Sequence, residues 1–209
     1  VPVDTDTWWH LKSGQWIVEH GAVPRTDPFS HTRDGFPWID HSWLAQIVLY
    51  TLFNAAGYAG LGLLVAALAT GALVFVWLQC RGVDRWLRAF TMILAATTSG
   101  VIWIARPQMF SFLLAAIAAY LLDRFRQGDR RAIWWMPPLM VLWVNTHGGF
   151  AVGLLLLAAH LLGQLGNRAL ARGRPETSWK PVGQLALVTL VCLLVVPLNP
   201  NGAQMWGYP

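Results

Sequence analysis

Carboxylate, imidazole and indole side chains are concentrated in the first 43 residues of this 209-residue chain. They form three clusters, which are Asp4-Thr5-Asp6-Thr7-Trp8-Trp9-His10, Asp27-Pro28-Phe29-Ser30-His31 and Trp38-Ile39-Asp40-His41-Ser42-Trp43. On a helix that begins near Asp6, His10 lies four positions further on and shares its face. A carboxylate there can accept a proton from an attacking hydroxyl group or help to hold a divalent ion. Asp6 is therefore the candidate catalytic residue, and the candidate substrate-binding residues include His10, Asp27, Asp40 and His41.

The same residues also have plainer interpretations. Asp6 or Thr5 can serve only as the cap of a helix over about residues 7–20. A metal site is a second alternative, because His and Asp are both common ligands. The chain has no HExxH motif, so the metal stays unknown and the role of a divalent cation stays open. A water-exposed loop anchored by interfacial Trp side chains is the third alternative.

Two more candidate substrate-binding residues stand at turns between apolar segments. The guanidinium of Arg106 is suited to forked contact with a phosphate or pyrophosphate. The alternative is an arginine that reaches to the membrane surface or pairs with an acid. His147, in the turn Asn145-Thr146-His147-Gly148, can hydrogen-bond a substrate or merely close that turn.

The composition indicates the class of protein that must position these groups. Hydrophobic residues make up 56% of the chain and charged residues only 12%, which is too apolar for a soluble domain of this length. We therefore expect an all-α polytopic membrane protein. The absence of a phosphate-binding glycine loop, of GxSxG and of CxxC counts against a cytoplasmic ATPase or a serine hydrolase.

Two units are expected along the chain. Residues 1–57 read as an extracytoplasmic loop with two interfacial helices, at about 7–20 and 42–56. The second of these carries a polar stripe, because a polar residue recurs every four positions at Ser42, Gln46, Tyr50 and Asn54. Residues 58–209 read as a bundle of about six spanning helices, at about 58–80, 89–105, 108–122, 132–146, 149–166 and 181–198.

Basic residues predict the orientation. Alternate loops hold 11 of the 15 Lys and Arg residues: Arg81, Arg85, Arg88, Arg124, Arg126, Arg130, Arg131, Arg168, Arg172, Arg174 and Lys180. The positive-inside rule makes these loops cytoplasmic, which places residues 1–57, Arg106 and His147 on the extracytoplasmic side of a cell membrane. The net charge of +5 is explained by this loop pattern, so nucleic acid is not an expected partner.

One stretch resembles a known family. Asp6-Thr7-Trp8-Trp9-His10-Leu11-Lys12, Trp16-Ile17-Val18-Glu19-His20-Gly21 and Asp27-Pro28 are similar to the first external loop of GT-C superfamily glycosyltransferases, above all that of the oligosaccharyltransferase catalytic subunit. The match covers about 25 residues, and beyond it the similarity is architectural.

The resemblance implies a GT-C-like helical bundle that moves a sugar from a polyprenyl-phosphate-type lipid donor to an acceptor on the extracytoplasmic face. Its partners would be membrane lipid and the polyprenyl-linked donor, and Asp6 would match the catalytic loop aspartate of the family. The chain departs from the pattern where a later external loop should carry a second acidic motif, since it has Arg106 and Gln108 there. The acceptor motif of oligosaccharyltransferases is also absent.

Two other classes stay open. A lipid or solute transporter or flippase would carry polar groups near the membrane midplane on broken helices, whereas here they stand at segment ends. A non-catalytic scaffold subunit is the other alternative. The chain opens at Val1 and stops at Pro209 just after a turn, so we expect a fragment of a longer protein.

Overall fold

Seven α-helices and four 3₁₀ turns make up the computed structural model, which describes residues 4–170 and 178–208. The α-helices are α1 Asp6–His20, α2 Trp43–Gln79, α3 Arg85–Ser99, α4 Gln108–Arg126, α5 Met136–Thr146, α6 Phe150–Leu170 and α7 Lys180–Leu194. The 3₁₀ turns are Gly100–Ile102, Ala132–Trp135, Val196–Leu198 and Gly202–Gly207. The described ranges hold no strand, only an isolated bridge between Thr26 and Pro37. The all-helical prediction is therefore confirmed.

Four helices are long and apolar enough to cross a membrane, which supports a membrane protein. They are α2, α4, α6 and the segment Lys180–Leu198, in which a 3₁₀ turn extends α7. The sequence predicted about six such segments. The predicted segments 89–105 and 132–146 fall short because α3 has 15 residues and α5 has 11. At 1.5 Å per residue they reach about 22 Å and about 16 Å, less than a bilayer core of about 30 Å.

The two predicted interfacial helices correspond to α1 and to the first part of α2. Gly57 has φ 57° and ψ −142°, so the helical backbone of α2 is interrupted between the predicted segments 42–56 and 58–80. Neither Thr5 nor Asp6 caps α1 with its side chain, contrary to the capping interpretation. Instead Asp4 Oδ1 accepts the N–H of Asp6 at 2.9 Å.

Helix α1 packs along the first turns of α2. Leu11 of α1 is buried against Leu49 and Leu61 of α2. Gly14 lies so close to the backbone carbonyl of Gln46 that a Cβ at this position would overlap it. Ser42 and Gln46 are buried, so this part of the polar stripe lies inside the protein and does not face the membrane surface as predicted.

The main core is formed by α4, α5, α6 and α7. Its largest fully buried side chain, Trp143 on α5, packs in a cluster with Leu114, Phe150 and Leu185. A Cβ on Gly153 of α6 would come within 2.9 Å of the Trp143 ring. The glycine therefore lets α6 pack closely against the indole on α5.

The two ends of the helix bundle carry cavities with different lining residues. Gln108 at the start of α4 and Gly148 just before α6 line one polar cavity. Arg126 at the end of α4 and Arg168 near the end of α6 line another cavity, of about 450 Å³. Arg172 and Arg174, which also entered the orientation prediction, lie outside the described residues.

Candidate functional site

A polar cavity of about 390 Å³ lies where the start of α1, the start of α2, the turn before α4 and the turn before α6 meet. This volume is within the range of small-molecule sites. Five of the seven predicted site residues line it. The cavity is lined by Asp6, His10, His41, Ser42, Arg106, Pro107, Gln108, His147, Gly148 and Tyr208.

Arg106 joins the start of α1 to the turn before α4. Its guanidinium pairs with the carboxylates of both Asp4 and Asp6, and Nη2 donates to Asp4 Oδ1 at 2.7 Å. Thr7 Oγ1 also donates to the carbonyl of Ala105 at 3.3 Å. Two carboxylates and one guanidinium leave this group with a net charge of −1. The acid-paired alternative for Arg106 is thus the arrangement in the structure, and it brings residues 6 and 106 into contact.

Two histidines in the cavity are held in the neutral form. The pKa of His10 is lowered to about 4, mainly by burial. The nearby positive charge of Arg106 contributes to the lowering, and its effect exceeds the opposite effect of the Asp6 carboxylate. Burial also lowers the pKa of His41 to about 4, with a contribution from His147, whose ring centroid is 6.0 Å away. At neutral pH these imidazoles carry no charge and offer a ligand only neutral hydrogen-bonding groups.

Hydrogen bonds fix the orientation of His147. Gly149 N–H donates to His147 Nδ1 at 3.0 Å, and Ser111 Oγ lies 2.8 Å from the same nitrogen. Trp143 Nε1–H donates to Ser111 Oγ at 2.7 Å, so the Ser111 hydroxyl hydrogen is free to point at Nδ1. Because Nδ1 accepts, the proton of the neutral ring sits on Nε2. Burial lowers the pKa of His147 as well, so this ring is a neutral hydrogen-bond donor.

Gly149 makes this arrangement sterically feasible. A Cβ on Gly149 would overlap Ser111 Oγ and come within 2.9 Å of His147 Nδ1. Neither Ser111 nor Trp143 was predicted as a site residue, because a serine and a tryptophan in apolar helices are typical packing residues. The Gly148-Gly149 pair after His147 was the available signal for a close backbone approach.

Asp40 lies close to the cavity without lining it. The residue is only 2% exposed, and its Oδ1 accepts from Gln46 Nε2 at 2.8 Å. Burial raises the pKa of Asp40 to about 6, against the lowering effect of the Gln46 hydrogen bond. Asn201 Nδ2 donates to the Asp40 carbonyl at 3.1 Å, and Asn199 Nδ2 to that of His41 at 3.3 Å. The predicted direct contact of Asp40 with a substrate therefore does not fit its position.

Asp27 lies in a different place. It lines a separate cavity of about 230 Å³ together with Trp9, Phe29 and Trp38. Its Oδ1 accepts from the N–H groups of Phe29 at 2.8 Å and Ser30 at 3.1 Å, which closes a turn. Hydrogen bonds from Ser30 and Phe29 lower the pKa of Asp27. The structure thus gives this carboxylate a turn-forming role and does not bring it to the cavity with Asp6.

Two residues outside the predicted set contact residues of the wall. Asp4, which precedes α1, binds Arg106 from behind the lining residues. Tyr208 lines the cavity, and its ring centroid lies 4.2 Å from that of His41. The Asp4-Thr5-Asp6 spacing was a visible signal for a paired carboxylate, whereas nothing local marks Tyr208. Among the described residues, no group of three or more His, Cys, Asp or Glu side chains is arranged to hold a metal ion.

The chain matches no protein-family model, no curated protein and no solved structure.

Proposed function

We propose that this protein is a GT-C-like membrane glycosyltransferase that moves a sugar from a polyprenyl-phosphate-type lipid to an acceptor on the extracytoplasmic face. The observation that carries the proposal is the cavity, in which the carboxylate of Asp6 and three imidazoles meet at one end of the spanning helices. The resemblance of residues 6–28 to the first external loop of that superfamily adds to it. A site at helix ends supports a transferase over a transporter, because transporters bind substrates near the midplane.

Asp6 takes the role of general base. Its Oδ2 is bound by Arg106, so Oδ1 is the atom left to accept a proton. The side chain is 56% exposed, so an acceptor hydroxyl group can reach it. The hydroxyl oxygen attacks the anomeric carbon, its proton passes to Asp6, and the bond from that carbon to the phosphate oxygen breaks with the electron pair leaving on the phosphate.

Arg106 positions Asp6 and contributes charge to the phosphate end of the donor. Because its guanidinium already serves two carboxylates, a phosphate would add to a group of net charge −1. A phosphate oxygen can replace one carboxylate oxygen on the guanidinium, since both make the same forked contact. The Nε2–H of His147 supplies a neutral donor to a phosphate or sugar oxygen without adding charge.

The test uses a polyprenyl-phosphate hexose with a tritiated sugar. The purified full chain in detergent and an Asp6→Asn variant are incubated with it and with a set of water-soluble hydroxyl acceptors, and the passage of label from the organic to the aqueous phase measures cleavage of the sugar–phosphate bond. We expect turnover by the wild type and a loss of at least 100-fold in the variant, because general-base catalysis contributes about 10²–10⁴-fold.

Asp34→Asn is the matched control, since Asp34 is an exposed carboxylate of the same loop that does not line the cavity. It should retain wild-type turnover. Equal turnover by the wild type and Asp6→Asn would remove Asp6 from the mechanism. Absence of turnover across a panel of polyprenyl-phosphate and polyprenyl-pyrophosphate sugars would overturn the proposed reaction.

A further inference from the structure

Three buried oxygen atoms near the cavity have no hydrogen-bond partner within the protein. They are Asp40 Oδ2, Ser42 Oγ and Gln46 Oε1. The exposed fractions of these residues are 2%, 0% and 4%. Buried polar atoms without partners are costly and rare, so three in one place indicate that something else binds them.

The three atoms belong to one small region. Gln46 Nε2 donates to Asp40 Oδ1 at 2.8 Å, so the other oxygen of each group lies only a few ångströms from this contact. Gln46 N–H donates to the Ser42 carbonyl at 3.1 Å, and residues four apart on a helix share one face. Ser42 also lines the cavity, so the region lies directly behind its wall.

The carboxylate of Asp40 lacks an opposite charge. It makes no ion pair with any described residue. The titratable side chains next to it are His41, which is neutral at neutral pH, and Tyr208, whose pKa is raised by its own burial and by the Asp40 charge. The amides of Asn199 and Asn201 bind backbone carbonyls. Arg25 lines a small neighbouring cavity beside Asn201 and does not pair with Asp40.

A bound water molecule can satisfy the hydrogen bonds of the three oxygens but cannot neutralise Asp40. An uncompensated buried charge costs several kcal/mol in proteins. Sodium and other hard cations prefer oxygen ligands, and carboxylate, amide and hydroxyl oxygens are all of this type. One carboxylate balances one positive charge, which favours a monovalent over a divalent ion.

We propose that Asp40 Oδ2, Ser42 Oγ and Gln46 Oε1 bind a small monovalent cation behind the wall of the cavity. This site is separate from the proposed transferase chemistry and does not depend on it. The cation cancels the negative charge of Asp40 beside a cavity whose Asp4–Asp6–Arg106 group is already negative overall, and so lowers the repulsion that an anionic ligand meets.

The test measures thermal unfolding of the purified protein at pH 8 by tryptophan fluorescence, in sodium chloride and in choline chloride of equal concentration. Choline is too large for the site and controls for ionic strength. We expect sodium to raise the unfolding temperature in a saturable way, by about 5 °C or more at saturation. Potassium is measured in parallel, and a saturable response to either ion supports the site.

Asp40→Asn removes the charge and should abolish the difference between sodium and choline, while Asp34→Asn, an exposed carboxylate of the same loop, should keep it. Ser42→Ala removes one ligand and should raise the sodium concentration for half-saturation about tenfold, which tests the site even if Asp40→Asn does not fold. Equal responses to both salts overturn the proposal and leave a bound water.

Discussion

Acidification should destabilise the protein, and the histidines of the cavity set the size of the effect. His10 and His41 have an ordinary pKa near 6.5 and a pKa of about 4 in the folded protein. Between these pH values the unfolded chain binds up to two more protons at these residues than the folded one. The contribution of these two histidines to the free energy of unfolding is therefore complete above pH 6.5 and is lost as the pH falls towards 4. His147 acts in the same direction.

Asp40 opposes this trend. Its pKa rises from 3.8 to about 6 on folding, so the folded protein binds one extra proton between these values. The stability from this residue is present below pH 3.8 and is lost as the pH rises through 6. As the pH falls, two histidines against one carboxylate give a net loss of stability of about 3 kcal/mol per pH unit just above pH 6 and about 1 kcal/mol per unit below it.

When the pH falls from 6.5 to 4.5, the free energy of unfolding should decrease by about 3 kcal/mol for the wild type. The decrease should be about 5 kcal/mol for Asp40→Asn and about 1 kcal/mol for His10→Asn. The assay is thermal unfolding in detergent, followed by tryptophan fluorescence in sodium-free choline buffer. Each kcal/mol corresponds to about 2–4 °C for a chain of this size. Carboxylates common to all three proteins cancel in the comparison.

The refuting results are specific to each residue. If Asp40→Asn has the same pH slope as the wild type, Asp40 does not take up a proton on folding. If the stability of His10→Asn falls with decreasing pH as steeply as that of the wild type, His10 is not held neutral in the cavity.

Two glycine substitutions test close contacts around the cavity. Gly149→Ala should destabilise the protein by about 1–3 kcal/mol, because the Cβ would overlap Ser111 Oγ. Gly163→Ala, in the following helix α6 and with open space around it, should cost nothing. Equal unfolding temperatures for the two variants would refute the contact. Gly14→Ala should cost at least as much, because its Cβ would overlap the backbone carbonyl of Gln46 and push α1 away from α2. The control is Gly62→Ala, an open position on α2. Equal unfolding temperatures for Gly14→Ala and Gly62→Ala would show that α1 does not pack against α2 at Gly14.

The helical, membrane-spanning character of the chain was predictable because it follows from composition and segment length. The sequence also favoured a helix over about 7–20 and a break after residue 56, where the structure has α1 from Asp6 and the interruption at Gly57. The short α3 and α5 were not predictable in the same way. An apolar run does not reveal where a helix ends when 3₁₀ turns continue it, as they do after Ser99 and before Met136.

The composition of the cavity was predictable only in part. Five residues of the cavity were predictable because they are polar residues at segment ends on one predicted side, and helix alternation places such ends together. They are Asp6, His10, His41, Arg106 and His147. Asp27 was chosen on the same ground, but its carboxylate binds neighbouring N–H groups within its own turn. The sequence does not distinguish a carboxylate that makes such a local hydrogen bond from one that is free to bind a substrate.

The hydrogen bond from Trp143 to Ser111, and the one between Ser111 and His147, depend on how α4 and α5 face each other. Neither residue stands out by type or spacing. A sequence pattern shows which face of a helix is apolar but not which neighbour covers it, so these positioning residues become visible only in three dimensions.

The proposed function requires above all that the start of α1 and the turn before α4 lie on one side of the membrane, opposite the ends of α4 and α6. Single cysteines at Thr5, Gln108 and Gln127, in a background with Cys80 and Cys192 replaced by alanine, test this with a membrane-impermeant maleimide applied to intact cells. We expect positions 5 and 108 to be labelled from outside and position 127 to be labelled only after the membrane is opened. Labelling of positions 5 and 108 from opposite sides would contradict the proposed function.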